Sequence, residues 1–202
     1  MTEQKLSKAE RKRQAKADQQ RAIDETIDKF ENSVGRADNN ERDLISTTLQ
    51  ELKLTLFEVP ADGNCMFYSL AHQLESNNLL SKVPSDRDFD QLPLNKKLRH
   101  ISAKNIQENF DHYKHFALNY STGELLSEEE FVDYIKNITN SSQWGTNLEL
   151  QAIANSLSVY IRVIQAQGSS IFIGKEDDPL LVITYHNFAF CEGQHYNSTQ
   201  PI

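Results

Sequence analysis

A chain of 202 residues has room for one domain with a real core and gives no reason to assume a second. Hydrophobic residues make up 38% and charged residues 25%, an ordinary globular balance, and no apolar run approaches the roughly 20 residues of a membrane helix, so no spanning segment is expected. The net charge of −8 is uneven: residues 1–21 hold seven basic residues against three acids, a surplus of about four, so the remainder carries about −12. An acidic body is a poor nucleic-acid binder, whereas a basic segment can be a good one. The opening MTEQKLSKAERKRQ has basic residues with no apolar stretch behind them, unlike a secretory signal. Two cysteines are too few for a disulfide scaffold, and with these features a cytoplasmic or nuclear protein is expected.

In chain order, residues 1–31 read as a polar helix of Lys, Arg, Gln and Ala, with apolar residues too sparse for a coiled-coil heptad. A solvated extension is the plain reading, and a docking arm for RNA, a ribosome or an acidic protein surface is the sharper one. Asn32 to Glu41 has turn composition and is expected to link this extension (1–41) to the main domain (42–202). Asp43 to Gln50 reads as a short helix leading into a strand at Leu54 to Val59, which Pro60 stops. Ala61-Asp62-Gly63-Asn64 is a turn, and Met66, Phe67, Leu70, Ala71 and Leu74 then repeat at helical spacing from about Cys65. Asn64 is a candidate N-cap, with its side-chain oxygen accepting from a first-turn amide.

Glu75 to Asp90 reads as a loop, and Leu94 to Phe110 as a helix with Leu94, Leu98, Ile101, Ile106 and Phe110 inward. Ala117 to Leu126 looks like an irregular connection. Two capping boxes follow, Ser127 with Glu130 and Thr146 with Glu149, each opening a helix. The apolar stripes are Phe131, Tyr134, Ile135 and Ile138 in the first, and Leu150, Ile153, Ala154 and Leu157 in the second. Strands are expected at Val159 to Gln165, Ile171 to Ile173 and Leu180 to His186, with another near His195. Helices first and strands later indicate an α+β fold.

Cys65 at a helix start can be a nucleophile, because the free amides and partial positive charge there favour the thiolate, which would also make it sensitive to peroxide. A nucleophilic thiol needs a base and something to orient that base. Of six histidines, His195 has the most suggestive context: it follows Glu-Gly-Gln, opens His-Tyr-Asn-Ser, and lies on a strand able to pair back near Leu54. Asn197 projects from the same face two residues on and could fix the tautomer. This is a papain-type arrangement on a different sequence order. Cys191 could suggest a metal pair with His195, but structural zinc takes four ligands, so Cys191 reads as a small buried residue; no metal or other cofactor is expected. Trp144 reads as core.

Asp-Gly-Asn-Cys-Met-Phe-Tyr-Ser-Leu after a strand, a late His-Tyr-Asn-Ser, and Trp144-Gly145 ahead of Glu149-Leu150 together resemble the ovarian-tumour (OTU) family of deubiquitinating cysteine proteases, from about Leu49 to the end of the chain. The basic extension is similar to that of a branch of the family whose members are associated with ribosomes. The resemblance implies a papain-like domain with a central, mostly antiparallel sheet flanked by helices, acting as a monomer on ubiquitin or polyubiquitin conjugates. It implies Cys65 as nucleophile, His195 as base and acid, Asn197 as orienter and Asp62 as organiser of the loop. It further implies an oxyanion hole from the backbone amides of Asp62, Gly63, Asn64 and Cys65. A ubiquitin-gripping loop is implied at Ala117, Leu118, Asn119, Tyr120, Glu124, Leu125 and Leu126, with Tyr196 nearby. A ubiquitin-binding pseudoenzyme and an RNA- or ribosome-docking protein are the competing functions.

Overall fold

The computed structural model describes residues 8–119, 122–140, 142–190 and 193–202. Helix α1 spans Lys8–Glu51, and the chain divides into two compact units, Met1–Asn40 and Glu41–Ile202. In the first unit the described side chains between Lys16 and Lys29 are exposed, as on a polar helix. The expected linker is a correction: residues 32–41 are helical. The stretch has no proline, and its single glycine costs a helix only about 1 kcal/mol relative to alanine.

In the second unit, Glu41, Ile45 and Leu49 follow at four-residue spacing and are all buried. Ile45 and Leu49 pack with Ile164 and Val182 of the sheet, so helix is favoured through Asp43 to Gln50 by tertiary burial more than by propensity. Glu41 accepts from the amides of Asn187 and Phe188, at 2.8 and 2.9 Å. Those amides lie in a stretch of strand where the pairing register shifts, so the carboxylate supplies bonds that the ladder does not.

The remaining elements are β1 (Leu54–Phe57), α2 (Cys65–Ser76), α3 (Leu94–Glu108), α4 (Phe110–Tyr113), α5 (Glu128–Asn140), α6 (Asn147–Leu157), β2 (Tyr160–Gln165), β3 (Ile171–Ile173), β4 (Leu180–Phe190) and β5 (Gly193–Pro201). A short 3-10 turn, Leu80–Lys82, interrupts the expected loop. The five strands lie in the order β1-β5-β4-β2-β3, antiparallel except for β2 beside β4. This is the α+β, mostly antiparallel architecture expected. β4 runs on past His186, which is buried rather than at a strand end.

α2, α3 and α6 bury Met66, Phe67, Leu70, Leu98, Leu150 and Ile153 with Ile161, Val163, Leu181 and Ile183 of the sheet. A second apolar cluster joins α3, α5 and α6 through Ile106, Phe131, Ile138 and Ala152. Both expected capping boxes form: Ser127 with Glu130, and Thr146 with Glu149.

Candidate active site

β5 places the histidine. It pairs with β1 on one side (Phe57↔Ser198) and β4 on the other (Thr184↔Asn197, His186↔His195), which fixes the direction of every side chain along it. His195 and Asn197 are both 3% exposed, and His195 Nε2 lies 3.0 Å from Asn197 Oδ1. The Val59 N–H also donates to Asn197 Oδ1, at 3.0 Å. A backbone amide can only donate, so the atom facing both groups is the oxygen. Nε2 therefore carries the proton, and Nδ1 keeps the lone pair of a base.

α2 places the cysteine, and buried polar side chains fix α2 on the sheet. Gln73 Nε2 donates to the Thr199 carbonyl at 2.6 Å, and its Oε1 accepts from the Val182 amide at 2.9 Å. His72 Nδ1 lies 2.8 Å from Ser198 Oγ and its ring stacks on Phe57. Neither His72 nor Gln73 stands out by sequence motif; the signal available was a glutamine within the apolar stripe of a helix. The Tyr196 amide, one residue after His195, is one of the groups that pull the Cys65 thiol down.

The electrostatics differ from the expectation. Burial pushes the Cys65 thiol above its ordinary value, outweighing the amides of Tyr196 and Met66, which pull it down; the Asp62 charge adds to the rise. Cys65 is 7% exposed, so the accessible, low-pKa thiolate read from the helix start is corrected to a buried, neutral thiol. Burial likewise lowers His195, against the Asn197 hydrogen bond and the charges of Glu58 and Asp62, which raise it. A raised thiol and a lowered imidazole both favour their neutral forms, the state in which general-base transfer starts.

The turn before Cys65 corrects two further expectations. Asn64 does cap α2 by position, but its side chain makes no capping bond; its Oδ1 accepts from Arg99 Nε at 2.8 Å instead. The amides expected to form an oxyanion hole are mostly engaged inside the turn. Asp62 N–H donates to the Pro60 carbonyl, Asn64 N–H to Asp62 Oδ1 at 2.6 Å, and Cys65 N–H to the Asp62 carbonyl at 3.1 Å. Gly63 N–H makes no hydrogen bond among the described residues. Glycine is required there by close approach, since a Cβ would run into the Ser142 carbonyl.

Trp144 is also corrected: it is 46% exposed and lies at the rim of the site. It separates a slot of about 50 Å³, bounded by Asp62, Gly63 and His195, from a cavity of about 550 Å³, bounded by Cys65, Tyr185 and Tyr196. Gly145 rests so closely on Met66 that a Cβ would overlap it, which explains why the tryptophan loop sits against the first turn of α2. Arg99, not selected from the sequence, is 1% exposed and donates into the same turn. Its signal was the polar line Asn95, Arg99 and Ser102 beside the apolar stripe of α3.

The described ends of the expected ubiquitin-gripping loop pair with each other. Leu118 bridges Leu125, and Leu126 N–H donates to the Ala117 carbonyl at 2.8 Å. Leu118 and Leu125 are 48% and 56% exposed, and Phe116 joins them on the surface. Ala117 is a correction, since it is buried against the α5 cluster with its side chain closed to any partner; Leu126 packs partly on the same cluster. Asn119 is half-buried and Glu124 exposed. Tyr120 and Cys191 lie outside the described residues.

A profile of the family described as OTU-like cysteine protease matches residues 60–196. Deubiquitinase OTUD6B of Xenopus tropicalis is 34% identical over 196 residues, covering 96% of this chain and 63% of that protein. Ubiquitin thioesterase otu2 of Schizosaccharomyces pombe is 34% identical over 165 residues, covering 79% of this chain and 50% of that one. The chain thus spans less than two thirds of the length of these relatives. Among solved structures, the OTUD1 OTU domain aligns with a TM-score of 0.59 at 15% identity, over 82% of this chain and 97% of that one. An OTU deubiquitinase of Wolbachia pipientis bound to ubiquitin aligns with a TM-score of 0.50 at 18% identity, over 74% and 96%. With two thirds of its length matched by the family profile, the chain belongs to the OTU-like cysteine protease family.

Proposed function

We propose that the protein is a deubiquitinating cysteine protease that hydrolyses isopeptide bonds between the C-terminal carboxyl of ubiquitin and lysine amines. The observation that carries the reading is the shared oxygen of Asn197, which fixes His195 with Nδ1 as its basic nitrogen. Nδ1 takes the thiol proton as Cys65 sulfur bonds to the isopeptide carbonyl carbon. The imidazolium gives that proton to the departing lysine amine, leaving a thioester. Water, deprotonated by the same nitrogen, then cleaves the thioester to ubiquitin carboxylate and free thiol. The names of the family relatives support ubiquitin as the substrate.

The cavity beside Cys65 is a suitable channel for an extended C-terminal tail, and exposed Leu118 and Leu125 offer apolar contacts to the body of ubiquitin. Asp62 acts by holding the loop, through the Asn64 amide. The basic residues 1–21 suit an RNA or ribosome surface, a docking role alongside catalysis that fits a cytoplasmic enzyme acting as a monomer. A panel of differently linked di-ubiquitins tests the reading: wild type cleaves at least one linkage, and Cys65→Ala and His195→Ala cleave none. Binding of ubiquitin without cleavage of any linkage would make the protein a pseudoenzyme.

A further inference from the structure

Arg99, in the middle of α3, is the bulkiest of the fully buried side chains. Burial lowers its pKa, and no carboxylate forms an ion pair with it among the described residues, although Glu149 and Asp62 favour its charge through space. Keeping a cation under these conditions is costly unless its donors are satisfied, and four of the five N–H groups have acceptors. Nε donates to Asn64 Oδ1 at 2.8 Å, Nη1 to the Ile138 carbonyl at 3.0 Å, and Nη2 to the carbonyls of Gly63 and Gln143, at 2.6 and 2.8 Å. Its guanidinium also lies over the ring of Phe67, 4.3 Å from the centroid. One planar fork therefore ties the turn before Cys65 to the end of α5 and to the residue preceding Trp144, and both that turn and Trp144 line the slot beside His195.

The Gly63–Asn64 peptide is held at both ends by charge. Its carbonyl faces the Arg99 guanidinium, and its N–H faces the Asp62 carboxylate, each at 2.6 Å. Reversing that peptide would set oxygen against carboxylate and hydrogen against guanidinium, so the two side chains select one orientation. We infer that Arg99 is a positioning residue for hydrolysis at Cys65: with Asp62 it locks the Gly63–Asn64 peptide with its carbonyl turned inward, away from the developing oxyanion, and it fixes that turn against the Trp144 segment. Arg99 touches no reacting atom and acts through the loop. The effect on turnover rests on the isopeptidase reading; the lock itself does not.

The test uses the full chain with Arg99→Lys, which keeps the charge and loses the fork, and Arg99→Gln, which loses both. In each folded variant, kcat for a fluorogenic ubiquitin amide should fall about 100-fold with KM within about threefold. Alkylation of Cys65 by iodoacetamide, a displacement with no oxyanion, should stay within about threefold of wild type. Equal losses in both reactions, or kcat within about threefold in folded Arg99→Lys, would overturn the positioning role. If Arg99→Gln does not fold, Arg99→Lys decides. Hydrogen exchange of the Asn64 amide reads the lock without turnover: it should accelerate at least about tenfold in Arg99→Lys, and unchanged exchange would overturn the inference. A wild-type chain alkylated at Cys65 but cleaving no ubiquitin amide would refute the isopeptidase reading alone, leaving exchange to judge the lock.

Discussion

The proposed nucleophile and its proposed base are positioned by different physics. His195 stands in a strand paired on both sides, where the ladder sets its direction and one shared oxygen sets its tautomer. Cys65 follows an irregular turn whose shape depends on groups far away in sequence: the Arg99 side chain on the Gly63 carbonyl and the Ser142 backbone carbonyl against the Gly63 α-carbon. The strand tolerates the loss of one contact because its neighbours hold the register. The turn has no repeating ladder and should be the more fragile half of the site.

The largest effect is therefore expected in the turn. Gly63→Ala would drive its Cβ into the Ser142 carbonyl and displace the chain before Cys65. Since a misplacement of about 1 Å can cost about 100-fold, kcat should fall at least that far. Near-normal turnover in this variant would show that the turn is not tightly set. On the strand side, Asn197→Ala removes a neutral acceptor worth about 1–2 kcal/mol, so kcat/KM should fall only about 5- to 30-fold. A loss equal to that of His195→Ala would mean that Asn197 holds more than the imidazole.

The acid–base contrast can be sharpened by pH. His195 is lowered by burial and is needed in its neutral form, so activity is present above its folded pKa and lost as pH falls through it. The midpoint of the acid limb of kcat/KM should lie below the ordinary histidine value of about 6.5. Because the Cys65 thiol is raised, its alkylation by iodoacetamide should keep accelerating above pH of about 8.5, and peroxide should inactivate slowly. A rate already at plateau near neutral pH of about 7 would mark a preformed thiolate and contradict the neutral pair. The smallest effect is expected at the rim. Trp144→Ala should raise KM about three- to tenfold with little change in kcat or melting temperature, because a half-exposed ring contributes little to folding.

The same contrast explains what was legible in the sequence. Period and capping are local properties, so β5, α5, α6, both capping boxes and the pairing of His195 with Asn197 could be read from residue spacing. Features set by packing between distant segments could not. Cys65 looked like an exposed thiolate because a helix start says nothing of what covers it. Asn64 looked like a side-chain cap because nothing near it in sequence announces Arg99. Trp144 looked like core because tryptophan usually is, yet Gly145 on Met66 leaves it at the surface. Residues 32–41 looked like a linker because Asn, Gly and Asp favour turns, although no single position forbids a helix.

The most direct test of the account is intact-mass analysis after incubation with ubiquitin carrying a C-terminal propargylamide. One ubiquitin should add to the wild type through Cys65, none to Cys65→Ala, and adduct formation should be much slower in His195→Ala. A wild-type chain that stays unmodified, or an adduct on a residue other than Cys65, would contradict it.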